Sequence, residues 1–245
     1  MPNLSDKGIY LPPSPIRKLV PFAEAAKRRG IKVYHLNIGQ PDIRTPQVAV
    51  DAVKNIHDQV FEYGHSAGNE SYRRKLADYY RGVGIDVTTD DMVITVGGSE
   101  AIFMAMTICL NPGDEVLIPQ PSYVSYEPCT VLAGGRPVFI NLKAENEFRL
   151  TAKELEDAIT EKTKVLILPF PNNPTGAIME RKDLEEIAEV IIKHDIFVMS
   201  DEIYAELTYK EKHVSIVELP GMKERTILIN GFSKAYAMTG WRLGY

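Results

Sequence analysis

Residues 227–245 read Ile227-Leu-Ile-Asn-Gly231-Phe-Ser-Lys234-Ala-Tyr-Ala-Met-Thr-Gly-Trp-Arg242-Leu-Gly-Tyr245. The run Ile227-Leu-Ile-Asn230 is short and apolar, the mark of a buried strand. Gly231 ends it, and Lys234 follows at the strand's carboxyl end, where open α/β sheets gather their chemistry. Arg242 comes eight positions later, just after the chain's only tryptophan. A lysine held in a pocket can be tuned into an amine nucleophile. An arginine presents a planar donor fork that suits a phosphate. The pair points to a phosphorylated carbonyl compound held as a Schiff base. Taken alone, the stretch reads equally well as a surface lysine beside a core tryptophan, since lysines are mostly exposed.

Outward from that strand, the same pattern repeats back to about Asp90. Short apolar runs at 92–96, 115–118, 137–141, 164–168, 196–200 and 226–230 alternate with helices expected at 99–110, 123–132, 152–159 and 181–194. Thr151-x-x-Glu154 is a capping box for the third of these helices. Such alternation predicts an α/β fold, a mostly parallel sheet with helices on both faces. Ahead of it, residues 1–15 carry Pro2, Pro12, Pro13 and Pro15 and read as an extended arm. A helix over 16–29 closes at Gly30, and residues 32–38 look strand-like and run into Gly39-Gln-Pro-Asp42. Thr45-Pro46 has the chemistry of an N-cap and first-turn pair and predicts a helix to about residue 57. Residues 61–69 form a loop with two glycines, and a helix over 70–81 follows.

Composition narrows the class. The chain has 245 residues, 44% hydrophobic and 25% charged, which is ordinary for a soluble globular protein with one large or two small domains. Its net charge is −5 and its basic residues are dispersed, so nucleic acid and anionic membranes are not expected partners. Cys109 and Cys129 sit inside apolar helical patterns, so buried reduced thiols in a cytoplasmic protein are expected. No C-x-x-C or histidine cluster suggests a metal. The N-terminus has no apolar h-region, and no apolar run approaches membrane-spanning length.

Four further stretches carry chemistry. Thr95-Val-Gly97-Gly98-Ser99-Glu100-Ala101 is a strand, a glycine turn and a helix start, where unpaired N–H groups and the helix dipole can cradle an anion. It is also an ordinary strand-to-helix turn with Ser99 as cap. Pro119-Gln-Pro121-Ser-Tyr123-Val-Ser-Tyr126 sets an aromatic at a strand end, free either to stack on a heteroaromatic ring or to pack in the core. Pro169-Phe-Pro171-Asn172-Asn173-Pro174-Thr175-Gly176 is a stiff turn, and a stiff loop can fix an amide donor. Asp201, in Ser200-Asp201-Glu202-Ile-Tyr204, ends a strand, and a buried carboxylate needs a partner. Asp201 and Glu202 make a poor metal pair, because adjacent strand residues point to opposite faces.

Ser233-Lys234-Ala-Tyr-Ala-Met-Thr-Gly-Trp-Arg242 resembles the cofactor-lysine motif of class I/II pyridoxal-phosphate aminotransferases of fold type I. The nearest flavour is the bacterial aspartate-type branch. The other stretches match that family's motifs in the right order, and the similarity runs from about Gly39 to the last residue. The resemblance implies a cofactor-binding large domain over 46–245 and an N-terminal arm with part of a small domain over 1–45. It also implies that the chain is cut short of the C-terminal part, which in the family completes the small domain and supplies the main arginine for the substrate carboxylate.

The resemblance further implies these roles. Lys234 holds pyridoxal 5′-phosphate as a Schiff base and then works as base and acid. Gly98, Ser99 and Glu100 give backbone N–H groups to the phosphate, with Arg242 beside it. Tyr123 covers the pyridine ring, and Asp201 keeps its nitrogen protonated, making the ring an electron sink. Asn173 and Tyr204 reach the phenolic oxygen, and Asn173 and Gly39 receive the substrate carboxylate. Tyr63 reaches the phosphate of the other subunit of a homodimer. Gly231 stands where many relatives have a phosphate-binding serine. The implied reaction is ping-pong transfer of an amino group from an L-amino acid to a 2-oxo acid, in amino-acid metabolism. A β-lyase, a decarboxylase, an aminocyclopropanecarboxylate synthase or a cofactor-binding fragment without turnover are the alternatives.

Overall fold

The structure is a computed structural model and describes residues 2–11 and 14–245. Within the arm, Asp6–Tyr10 forms a short helix, α1, rather than extended chain. Ser5 caps it by accepting from Gly8 N at 3.2 Å, and Asp6 sits in its first turn, which is a start signal that the prolines mask. Pro12 and Pro13 lie outside the described residues. A 3₁₀ turn at Arg17–Leu19 leads into α2, Val20–Arg28.

Two expectations for the next segment fail. Residues 32–38 form no strand, and their apolar side chains at Tyr34, Leu36 and Ile38 stand exposed. A strand exists only where a neighbour completes its hydrogen-bond ladder, and the described residues offer none there. Thr45 does not cap α3, Gln47–Lys54; Pro46 holds the cap position. The Thr45 hydroxyl donates instead to the Ala237 carbonyl at 2.6 Å, tying this segment to the lysine loop. α4, Glu70–Gly82, is capped by Asn69, whose side chain accepts from Ser71 N at 3.0 Å. Its buried Arg73 donates to the carbonyls of Gly68 and Thr89, closing the loops at both ends of the helix.

The alternating series folds as its pattern predicts. After a two-residue β1, Thr95–Val96, come α5 Gly98–Cys109, β2 Glu115–Gln120, α6 Tyr126–Leu132 and β3 Arg136–Asn141. Then follow α7 Ala152–Ala158, β4 Thr163–Leu168, α8 Arg181–His194, β5 Phe197–Asp201, β6 Thr226–Ile229 and β7 Leu243–Gly244. The five-stranded sheet has the order β3-β2-β4-β5-β6, with every pair parallel. Period-2 alternation sorts its side chains. Leu117, Leu166 and Val198 face a core closed by Leu155 of α7 and Leu184, Ile187 and Ile191 of α8. Val116, Ile118, Val165, Ile167 and Met199 face the opposite core, closed by Ile102 and Met106 of α5 and Tyr126 of α6. Each such side chain, fully buried, contributes about 1.5–3 kcal/mol. Cys109 and Cys129 are free, half-buried thiols on α5 and α6, and burial pushes both thiol pKa values up.

The expected strand over 92–96 is shorter and outside the parallel sheet. β1 pairs antiparallel with β7, Thr95 opposite Gly244. Ile94 N bonds the Ala67 carbonyl at 2.9 Å and so leaves the ladder to the strand's last residues. β7 in turn bridges Gly231, with Asn230 and Tyr245 exchanging both backbone bonds at 3.0 Å. The lysine loop is thereby fastened at both ends to the sheet. The Thr151–Glu154 capping box forms, with Thr151 Oγ1 accepting from Glu154 N at 3.2 Å and Glu154 accepting from Thr151 N at 3.2 Å.

Candidate functional site

The loops after β1, β2, β4, β5 and β6 surround one cleft of about 510 Å³ at the carboxyl edge of the sheet. Gly98, Ser99, Tyr123, Asn173 and Asp201 line it. Lys234, Tyr204 and Arg242 line it as well.

One end is built for an anion. α5 begins at Gly98 with Gly97 as N-cap, φ 77°, and no side chain caps it; Ser99 does not take that role. The N–H groups of its first turn therefore point at the cleft without a side-chain acceptor. The Arg242 guanidinium lies against Gly97, where a Cβ would collide with it. Arg242 is held there by donating from one guanidinium nitrogen to the Thr239 carbonyl at 3.1 Å. Ser99 Oγ lies 3.5 Å from the Tyr123 hydroxyl. A serine at 231 has no room: a Cβ there would stand 2.8 Å from the Leu243 carbonyl oxygen.

The opposite end is a buried carboxylate. Asp201 closes β5, where Oδ2 accepts from the Tyr126 hydroxyl at 2.7 Å and Oδ1 from Ile203 N at 3.3 Å. Burial pushes its pKa up, and the two hydrogen bonds oppose that rise. Tyr204 is half-buried, and burial followed by the nearby Asp201 charge pushes its hydroxyl pKa up.

Between the two ends lies the amine. Lys234 Nζ donates to the Gly39 carbonyl at 2.6 Å. Burial lowers its pKa below the ordinary lysine value, opposed by Tyr123 and aided by Arg242. Asn173 takes its place from its neighbour. The buried Asn172 side chain accepts from Thr175 N at 3.1 Å and Thr175 Oγ1 at 2.9 Å, and donates to the Pro121 carbonyl at 3.3 Å. It locks the turn and joins it to the loop that carries Tyr123.

Of the sequence-derived candidates, Gly98, Ser99, Tyr123, Asn173, Asp201, Tyr204, Lys234 and Arg242 all border the cleft, and Gly39 meets it through Lys234. Glu100 and Tyr63 do not border it. Glu100 turns its carboxylate back to accept from Val96 N at 2.6 Å. Tyr63 is fully exposed on its loop. Sequence reasoning missed Arg17, Tyr126 and Thr239 among the lining residues. Tyr126 carried a signal, its place three residues after Tyr123 at a helix start. α6 begins at Tyr126 rather than Tyr123, which frees Tyr123 to face the cleft. Arg17 carried none.

These groups fit a small aromatic ring that bears a phosphate, a basic ring nitrogen and an aldehyde. The uncapped helix start and guanidinium suit the phosphate, the buried Asp201 suits a protonated nitrogen, and the depressed Lys234 amine suits the aldehyde. The missing Cβ at Gly97 lets the Arg242 guanidinium lie directly against the backbone at the helix start.

The profile of the family described as "Aminotransferase class I and II" matches residues 31–245. The chain is 44% identical to the "Aspartate aminotransferase" of Pyrococcus abyssi, over 99% of this chain and 62% of that protein. It is also 44% identical to the "Aromatic-amino-acid aminotransferase 2" of Thermococcus litoralis, with the same coverage. The solved aspartate aminotransferase from Thermus thermophilus with maleate superposes with a TM-score of 0.94 at 36% identity, over 100% of this chain and 64% of that one. The chain thus spans about 62% of the length of the curated relatives that it matches.

Proposed function

Because the chain belongs to aminotransferase class I and II, we propose that it binds pyridoxal 5′-phosphate at Lys234 and moves an amino group from an L-amino acid to a 2-oxo acid. The observation that carries this reading is the gathering of Lys234, Asp201 and the Gly98–Ser99 helix start around one cleft. When bound, the cofactor supplies an aldehyde carbon and an electron-withdrawing ring. Gly98 and Ser99 hold its phosphate through backbone N–H groups, and Arg242 balances the charge. Tyr123 would cover the ring, Asn173 and Tyr204 would donate to the phenolic oxygen, and Asp201 would keep the ring nitrogen protonated. Lys234 Nζ would hold the cofactor through its aldehyde carbon, with loss of water, and the Lys234 amine would carry the proton taken from the substrate α-carbon, acting first as base and then as acid. The lowered pKa of Lys234 favours the neutral amine that this role needs. Gly39 and Asn173 receive the substrate carboxylate.

Glu100 enters this reading only through its backbone N–H. Tyr63 enters through a homodimer, in which its loop reaches the partner's phosphate; the exposed Val60, Phe61 and Tyr63 support such a partner surface. Residues 46–245 act as the large domain, with 1–45 as an arm and part of a small domain. Among the described residues no helix is long and apolar enough to cross a membrane, and the free cysteines support a place in the cytoplasm.

The test is product analysis. The purified chain, loaded with pyridoxal phosphate, is given aspartate or an aromatic amino acid with a 2-oxo acid acceptor, since relatives named for both donors are equally similar. Transamination gives the donor's oxo acid only when the acceptor is present over many turnovers, and Lys234→Ala abolishes it. An eliminated fragment or carbon dioxide formed without acceptor would replace this reading with a lyase or decarboxylase. The chain's 62% span of its relatives favours a second reading, in which these residues bind the cofactor and turnover needs residues not in this chain. Cofactor binding without any product selects it.

A further inference from the structure

Asp201 is held in an unusual way for a buried carboxylate. It is 8% exposed, and among the described residues no lysine, arginine or histidine forms an ion pair with it. Its only side-chain partner is the Tyr126 hydroxyl at 2.7 Å, and its other oxygen has a single backbone donor, Ile203 N at 3.3 Å. The other titratable groups lining the cleft are Tyr123, Tyr126, Tyr204, Lys234, Arg17 and Arg242, and the Glu202 charge acts on Asp201 from outside that lining. Tyr126 is fixed from all sides. It is 2% exposed, its ring meets Tyr123 edge-on at 5.6 Å and 85°, and its carbonyl accepts from Thr130 Oγ1 at 2.9 Å. In this position its hydroxyl donates to Asp201 Oδ2.

We propose that Tyr126 is the positioning residue of the ring-nitrogen site: its hydroxyl holds Asp201 ionised and aimed into the cleft, so that the site selects a protonated ring nitrogen. This rests on the cofactor reading above. A buried carboxylate without a cation tends to take up a proton, and a proton on Asp201 would remove the charge that the nitrogen needs. A hydrogen bond to the charged form opposes this. Hydrogen bonds to charged groups shift an equilibrium by about tenfold to a hundredfold. Tyr126 touches Asp201, which would touch the cofactor, so its effect passes through the carboxylate.

The experiment compares two probes on the full chain: pyridoxal phosphate, and its analogue with CH in place of the ring nitrogen. Dissociation constants are read by equilibrium dialysis for the wild type and for Tyr126→Phe, which keeps the ring and its edge contact. The expected result is a loss of about tenfold or more for pyridoxal phosphate and little change for the analogue. In an Asp201→Asn background, Tyr126→Phe should cause no further selective loss. Equal weakening of both probes would mean that Tyr126 only supports the shape of the pocket and would overturn the proposal. So would an unchanged preference, or a wild type that binds both probes equally. A wild type that binds neither probe overturns the cofactor reading itself, and this proposal with it. Thermal unfolding of the ligand-free variant, within a few degrees of wild type, certifies that the comparison is made on folded protein.

Discussion

At the residue scale, Asp201 sets a conflict between stability and chemistry. Burial raises its folded-state pKa above the unfolded carboxylate value. The folded chain therefore binds that proton more tightly than the unfolded chain, and stability falls as pH rises through the window from the unfolded to the folded value. Above the folded value the penalty is fully present, and below the unfolded value it is absent. Asp201→Asn should therefore raise the melting temperature of the cofactor-free protein at pH 7, by roughly 2–4 °C per kcal/mol recovered, and the gain should shrink towards pH 4. A gain that does not change with pH would contradict the assignment of cause. Gly97 makes the second prediction. Its φ of 77° and the guanidinium over it leave no place for a methyl group. Gly97→Ala should displace Arg242, weaken cofactor binding by about tenfold, and lower the melting temperature through its left-handed backbone. Lys234, Asp201 and Asn173 could be singled out in the sequence because their motifs resemble one family's and occur in its order; each run alone also fits a plain strand end or turn. Tyr126 was only half legible: its place three residues after Tyr123 at a helix start was a signal, but its pairing is with Asp201, 75 positions away.

At the scale of elements, helix and strand types were legible where periodicity was strong. α8 has the bounds that its amphipathic pattern predicts, and the five strands of the parallel sheet appear within a few residues of their apolar runs. Failures came where a local signal met a distant partner. Thr45 has the chemistry of a cap, yet its hydroxyl bonds the Ala237 carbonyl, 192 positions away. Residues 32–38 have strand chemistry and no ladder to join, and the start of the 92–96 run gives its amide to Ala67 instead. The turn that carries Asn173 depends on Asn172, whose side chain bridges Thr175 and Pro121. Asn172→Ala should leave those groups unpaired, destabilise the protein by about 1–3 kcal/mol and speed hydrogen exchange at the Thr175 and Gly176 amides. Unchanged exchange there would mean that the prolines alone hold the turn.

At the scale of the whole molecule, two cores lie between the parallel sheet and its helix layers, a smaller third gathers Leu76, Ala77 and Tyr80 of α4 with Ile85 and Met92, and the segment before α4 lies outside them. Among the described residues none before Arg73 is buried. Leu36 at 96% exposure, Phe61 at 79% and Tyr63 at 107% give that segment an apolar surface that a lone chain leaves in water. The homodimer reading predicts that sedimentation finds a dimer, and that Phe61→Asp shifts it towards monomer while the parallel sheet stays folded by circular dichroism. A wild type that is monomeric at high concentration would remove Tyr63 from the site. The order of the motifs made the sheet and the cleft legible; the fate of this segment was not, because its partner surface is not written in its own residues. The central claim is that the cleft alone assembles a cofactor site on Lys234, and one measurement tests it most directly. The 245-residue chain is mixed with pyridoxal phosphate and reduced with borohydride, and the adduct is mapped by mass spectrometry. One stable adduct is expected, on Lys234, forming at a pH below that needed by surface lysines, as its lowered pKa requires. Labels scattered over surface lysines, or none at all, would contradict it.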